Sequence, residues 1–247
     1  MKINHAQKIL LVIYLPLTLA ILMFDQIFPG EVLVNYLKYI IMLTLCFVSW
    51  RIKKVTPEQK WMAASFIFIP IADFFMIFGA NLASRMNLDS DGLNQVPLGP
   101  LGFLCAYLCL IIAFQKNFRL GRADIIAAAL ITIVCAVFLV SLLPYIDNLL
   151  LTGILIFGIV LGYMVWTAVC TLFRGYYKKS LAYVISISAS LMFICDLGVA
   201  FSNIHPAFAG HFEPWMQNII WGSYLPGWML LVFVISDDSH FVIKSKQ

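Results

Sequence analysis

Three ionisable side chains stand out because almost nothing around them is charged. Lys38, Asp73 and Asp196 each lie well inside a long apolar run. An ionisable group in such a run costs several kcal/mol if it faces lipid, so each is expected to face an interior or a water-filled cavity. One ammonium against two carboxylates leaves one negative charge unpaired. The economical arrangement keeps one aspartate protonated, since a low-dielectric site tolerates a second unpaired charge poorly. A protonated acid beside an ionised carboxylate is what general acid–base hydrolysis uses. The plainer reading is a buried ion pair that only specifies helix packing. The surplus carboxylate tilts the reading toward a functional site.

The elements that must carry these groups are membrane spans. Hydrophobic residues make up 62% of the 247 residues and charged residues 11%, where a soluble domain has about 25% charged. A water-soluble fold could not hide so much apolar surface. Apolar runs bounded by charges, Pro and Gly predict eight helices at 9–28, 32–50, 61–82, 98–115, 123–143, 149–172, 181–203 and 216–236. Each is near the ~20 residues that cross a bilayer, and together they use nearly the whole chain. The expected fold is therefore an all-α integral membrane bundle forming one domain over 1–247. Lys2 and Lys8 before the first run could suggest a signal peptide. The following Asp25-Gln26-Ile27-Phe28-Pro29-Gly30 lacks a small-residue cleavage site, which favours a retained first span.

If the helices alternate, the basic residues segregate. Of 16 Lys and Arg, only Arg85 falls on one side and Lys38 inside a span; all others share the opposite side. The positive-inside bias then places the basic face and both termini in the cytoplasm, as expected for a bacterial cytoplasmic (inner) membrane. The other face carries Asp25, Glu31, Asp89, Asp91, Asp147, His205, His211 and Glu213, and its longest loop is 82–97. With this orientation Lys38 lies ~9 Å, Asp73 ~12 Å and Asp196 ~10 Å below the outer helix ends, from a rise of ~1.5 Å per residue. Tyr107 at ~14 Å and Tyr224 at ~10 Å share that layer. Asn35, one turn outward of Lys38, could bridge it to a ligand. The segments around Asp73 and Asp196 both read Asp-x4-Phe, an echo that chance explains as well as duplication does.

Other residues receive ordinary readings. The six cysteines show no metal spacing and read as apolar packing residues. The four histidines lie at the termini or in an outer loop, which disfavours an intramembrane zinc hydrolase. No metal or cofactor is expected, and no nucleic-acid partner despite a net charge of +4. Gly158 and Gly162 form a GxxxG pair, a close-packing face through which a homo-oligomer is expected. Asn81 and Asn203 read as helix-end caps, and Trp50, Trp61, Trp215, Trp221 and Tyr145 as interface anchors.

The polar residues resemble the YhhN-type lysoplasmalogenase family, which includes bacterial proteins and animal alkenyl-lysophospholipid hydrolases. Asp73-Phe74-Phe75-Met76-Ile77-Phe78-Gly79 is similar to the family's third-helix aspartate motif. Gly99 and Phe103 through Tyr107 resemble its fourth-helix motif, Leu191 through Asp196 its seventh, and Tyr224 an aromatic of its last helix. Three positions depart: Tyr39 replaces the Pro after Lys38, the fourth-helix His is missing, and Cys195 stands where Ser is usual. The resemblance implies cleavage of the vinyl ether of lysoplasmalogens, with a lysophospholipid substrate held among membrane lipids. Asp73 and Asp196 would be catalytic; Lys38 would balance their charge or contact phosphate, and Tyr107 and Tyr224 would orient water or the ether oxygen. Two other classes stay open: a proton- or ion-coupled transporter using the same charges, and a non-catalytic lipid-binding protein.

Overall fold

The computed structural model describes residues 3–85, 98–209 and 213–237, with the backbone alone for 79–85. Eight α-helices occupy these residues: α1 His5–Ile27, α2 Val32–Arg51, α3 Pro57–Arg85, α4 Leu98–Phe114, α5 Arg122–Leu142, α6 Asn148–Arg174, α7 Lys179–Ile204 and α8 Pro214–Ile235. Seven are long and apolar enough to cross a membrane, and α4 is a shorter apolar helix of 17 residues. The chain is thus an integral, multi-pass membrane protein. The predicted outer loop begins later than expected, because α3 continues to Arg85. The rest of that loop, the Asn81 and Arg85 side chains, and Lys2, Lys244, Lys246, Asp89, Asp91, His211 and His240 lie outside the described residues.

The helices pack as a ring of α1, α2, α3, α4, α6, α7 and α8, with α5 appended against α6. From its place in the ring α8 leans inward and also meets α2 and α3. A helix apolar all round is a buried helix: Trp228, Leu231, Val232, Val234 and Ile235 are fully enclosed. By contrast α5 turns Ile126, Leu130, Val137 and Val140 outward.

In lipid, the free carbonyls at a helix end need partners from the protein. Those of α8 find them on α1 and α3. Gln59 donates to the carbonyls of Ile235 (2.9 Å) and Asp237 (3.2 Å), Gln7 to Phe233 (3.2 Å) and Asn4 to Ser236 (2.6 Å). Asn4 and Gln7 also form a reciprocal capping box that starts α1. The same end of the bundle holds two ion pairs, Lys116–Glu58 at 3.2 Å and Arg174–Asp124 at 3.1 Å. Arg174, expected as a loop charge, is buried, its guanidinium against the rings of both Phe118 and Trp166. Asp147 caps α6 as an N-cap, and Gly175 ends it with φ +65°, a conformation that glycine adopts without strain.

Two hairpins are drawn together by small residues. On α4, Gly102 lies so close to α3 that an added Cβ would sit 2.8 Å from the Ala72 Cβ. Between α7 and α8 the close approach is at Gly227, beside Met192 and Leu191, and Ser188 donates to the Gly227 carbonyl at 2.7 Å. The GxxxG pair of α6 is divided in its use. Gly162 packs against Cys135 and Ile131 of α5, while Gly158 meets nothing within 4 Å.

Gly102→Ala must push two backbones apart, whereas Gly99→Ala crowds the flexible Met76 side chain and meets the Ala72 carbonyl only at an ordinary 3.4 Å. The first should cost about 1–3 kcal/mol, as overpacking does. The second should be close to neutral. Thermal unfolding midpoints in detergent distinguish the two, and equal midpoints would contradict this account of the α3–α4 contact.

Candidate active site

The two intramembrane aspartates lie on different hairpins, Asp73 on α3 and Asp196 on α7. Each accepts a hydrogen bond from a tyrosine of the other hairpin. The Tyr224 hydroxyl on α8 donates to Asp73 Oδ1 at 2.6 Å, and the Tyr107 hydroxyl on α4 donates to Asp196 Oδ2 at 2.5 Å. The hairpin α3–α4 thus gives a carboxyl to α8 and a phenol to α7, and α7–α8 returns the same exchange. The Asp-x4-Phe echo in the sequence coincides with this reciprocal pairing.

An aromatic core brings the two pairs into one site. The Trp228 ring stacks on Tyr107 at 6.5 Å and meets Tyr224 edge-on at 6.4 Å. Phe103 completes the cluster, 6.4 Å from Tyr107 and 6.1 Å from Tyr224. Asp73 is enclosed, while Asp196 is half-buried. Two polar atoms here have no hydrogen-bond partner among the described residues: Asp73 Oδ2 and Trp228 Nε1. An acceptor and a donor left unspent in one apolar cluster suit a water or a substrate oxygen, since buried polar groups are normally paired.

Lys38 does not belong to this arrangement, which corrects the expectation that it balances the aspartates. Its ammonium lies 2.8 Å from Asp25 Oδ1, both groups buried, and 4.7 Å over the Trp221 ring. Asp25 was expected on the outer surface. It sits about 3 Å from the end of α1 and Lys38 about 9 Å from the start of α2, by helix rise. The long lysine side chain reaches outward across that difference, as lysines near a membrane surface do. A short loop joining an aspartate near one helix end to a lysine early in the next was the signal for this pair. Trp221, read as an interface anchor, instead lies under Lys38 with its ring 5.4 Å from Tyr224. Asn35 is half-buried on α2, and its side chain makes no hydrogen bond among the described residues.

Neither Asp73 nor Asp196 is ion-paired among the described residues. No group of three His, Cys, Asp or Glu that could hold a metal occurs among them either. Two carboxyls, two phenols and an indole thus meet at one place in the bundle.

The YhhN family matches residues 33–235, a stretch that includes both aspartates and both tyrosines. The chain belongs to the YhhN family. That family is the lysoplasmalogenase family. No curated protein and no solved structure matches the chain. The matched YhhN region begins after α1, so Asp25, the partner of Lys38, lies outside it.

Removing one member of a buried ion pair leaves the other charge uncompensated, at a cost of about 3–5 kcal/mol. Lys38→Met and Asp25→Asn should each lower the unfolding midpoint strongly. The double variant should recover most of the loss. A double variant as unstable as the sum of the two single variants would show that the residues act independently.

Proposed function

We propose that this protein is a membrane hydrolase that cleaves the vinyl ether of lysoplasmalogens, releasing a fatty aldehyde and a glycerophospho-base. The observation that carries the proposal is the pair of carboxyls at one aromatic core, each held by a phenol and neither matched by a cation among the described residues. Membership of the lysoplasmalogenase family supports the substrate class.

The chemistry follows from the groups present. One aspartate, protonated, delivers its proton to the vinyl carbon remote from the ether oxygen, and the carbon next to that oxygen becomes an oxocarbenium ion. The other aspartate, ionised, stabilises this cation and takes a proton from the attacking water. The resulting hemiacetal loses the glycerol oxygen as a hydroxyl and leaves the aldehyde. Acid and base thus exchange states over the cycle, as two carboxyls do in glycoside hydrolysis. Each phenol holds one carboxylate oxygen and leaves the second oxygen for substrate or water. Trp228 Nε1, unspent in the same cluster, is placed to bind an oxygen of substrate or water. Asn35 lies toward the outer end of α2, where it meets the headgroup, while the buried Lys38 is spent on Asp25. The basic end of the bundle faces the cytoplasm in this reading.

Asp73→Asn and Asp196→Asn should each lower aldehyde release by about 100-fold or more, the usual contribution of a positioned acid or base. Tyr107→Phe and Tyr224→Phe remove a hydrogen bond to a carboxyl worth about 1.5–3 kcal/mol and should cost roughly 10–100-fold. The assay offers the purified protein a lysoplasmalogen and, separately, an ester-linked lysophospholipid, and follows fatty aldehyde. Full activity in both asparagine variants would sink the mechanism. Ion or proton flux dependent on Asp73 without lipid turnover would point to transport instead.

A further inference from the structure

The basic end of the bundle holds a guanidinium that is only partly used. Arg174, the last residue of α6, is buried, its side chain 1% exposed. Its Nε donates to Asp124 Oδ1 at 3.1 Å, and the guanidinium carbon lies 5.0 Å from the Phe118 ring and 5.1 Å from the Trp166 ring. The rings take up its faces. Its far edge is unspent: Nη1 and Nη2 have no hydrogen-bond partner among the described residues. Buried donors are normally paired. An arginine that only neutralised Asp124 could have used two nitrogens on the two carboxylate oxygens, as such pairs frequently do.

The guanidinium is fixed against the start of a helix. Asp124 is the third residue of α5, and its Oδ2 accepts from the N–H of Gly121, the N-cap, at 3.2 Å. Both Asp124 oxygens are therefore occupied, one by Arg174 and one by Gly121. Trp166 holds the same turn, its Nε1 donating to the Asp124 carbonyl at 2.8 Å. The N–H groups that open a helix have no partners within it, and the helix dipole adds positive potential there. Arg119 and Arg122 adjoin this turn, both exposed and neither ion-paired among the described residues. An unspent guanidinium edge beside a helix N-terminus calls for an anion, and the planar fork matches two oxygens of a phosphate.

The surroundings indicate where that phosphate comes from. Phe118, Leu120, Ile125 and Ile126 are all exposed apolar side chains around these arginines. The cationic groups thus sit where headgroups meet hydrocarbon, and basic pockets at that level suit lipid phosphates.

We propose that Arg174, with the first turn of α5, binds the phosphate of an anionic phospholipid whose acyl chains lie along the outward face of α5. Phe118, which packs on the guanidinium and is itself half-exposed, turns aside to admit the phosphate. The site lies at the other end of the bundle from Asp73 and Asp196 and does not depend on their chemistry.

The full-length protein in a phosphate-free detergent is titrated separately with dioleoyl phosphatidic acid, oleate and inorganic phosphate. Native mass spectrometry counts the bound ligand. The wild type should retain one phosphatidic acid saturably. Arg174→Lys keeps a charge beside Asp124 but loses the fork, and should weaken retention about tenfold. Arg51→Ala removes an exposed cation from the same end of the bundle and should leave retention unchanged. Equal weakening in the two variants, or oleate held as tightly as phosphatidic acid, overturns the proposal, because charge alone would then suffice. Inorganic phosphate bound as tightly, and with the same dependence on Arg174, overturns the lipid as its source and leaves a site for phosphate from solution. A second measurement needs no variant. Amide hydrogen exchange at Arg122 and Ala123 in the wild type should slow several-fold when phosphatidic acid is added. Unchanged exchange at that turn overturns the proposal even if Arg174→Lys does not fold.

Discussion

A carboxyl group in a hydrocarbon interior must be given hydrogen-bond donors, because neither water nor lipid supplies them there. In this protein the donors are phenols, and they come from the opposite hairpin each time. Tyr224 reaches from α8 to Asp73 on α3, and Tyr107 from α4 to Asp196 on α7. The need to satisfy two carboxyls therefore couples the two tightest helix hairpins of the bundle. It also explains the aromatic core between them. Two tyrosines aimed at acids on either side present their rings to each other's neighbours, and Trp228 and Phe103 fill the space.

The remaining buried charges are kept out of this centre. Asp25 and Lys38 neutralise each other within the first hairpin, and Asp124–Arg174 and Glu58–Lys116 do the same at the opposite end. A cation close to Asp73 or Asp196 would hold that carboxyl ionised, which would oppose the proton donation that the proposed hydrolysis asks of one of them. Pairing these three cations elsewhere leaves the central acids, among the described residues, with neutral partners that tolerate either protonation state. The bundle's stability and its chemistry are thus supported by different polar contacts, and the helix-end clamp of Asn4, Gln7 and Gln59 on α8 belongs to the first set.

Most of the fold was legible in the sequence. All eight helices appear where apolar runs bounded by charges and turn residues placed them, with ends shifted by a few residues. Lipid as solvent makes this reading direct, since a span must be long, apolar and internally hydrogen-bonded. Asp73, Asp196, Tyr107 and Tyr224 were also legible as one layer, because helix rise converts residue number into depth. Lys38 shared that depth and was misassigned to the aspartates. Depth carries no lateral information, and the partner of Lys38, Asp25, had been assigned to the outer face. Trp221 and Trp228 went unrecognised at the site for a related reason: aromatic residues are common in spans, and only their neighbours distinguish an anchor from a core residue.

The sequence by itself determined the solvent, the number of helices and the depth of each polar group, all of which follow from local hydropathy and a fixed rise per residue. Only the tertiary structure decided which groups at one depth meet. That choice depends on how the helices are ordered around the bundle and on where glycines let two backbones approach, as at Gly102 and Gly227. It turned an expected triad of one lysine and two aspartates into two aspartate–tyrosine pairs and a separate ion pair.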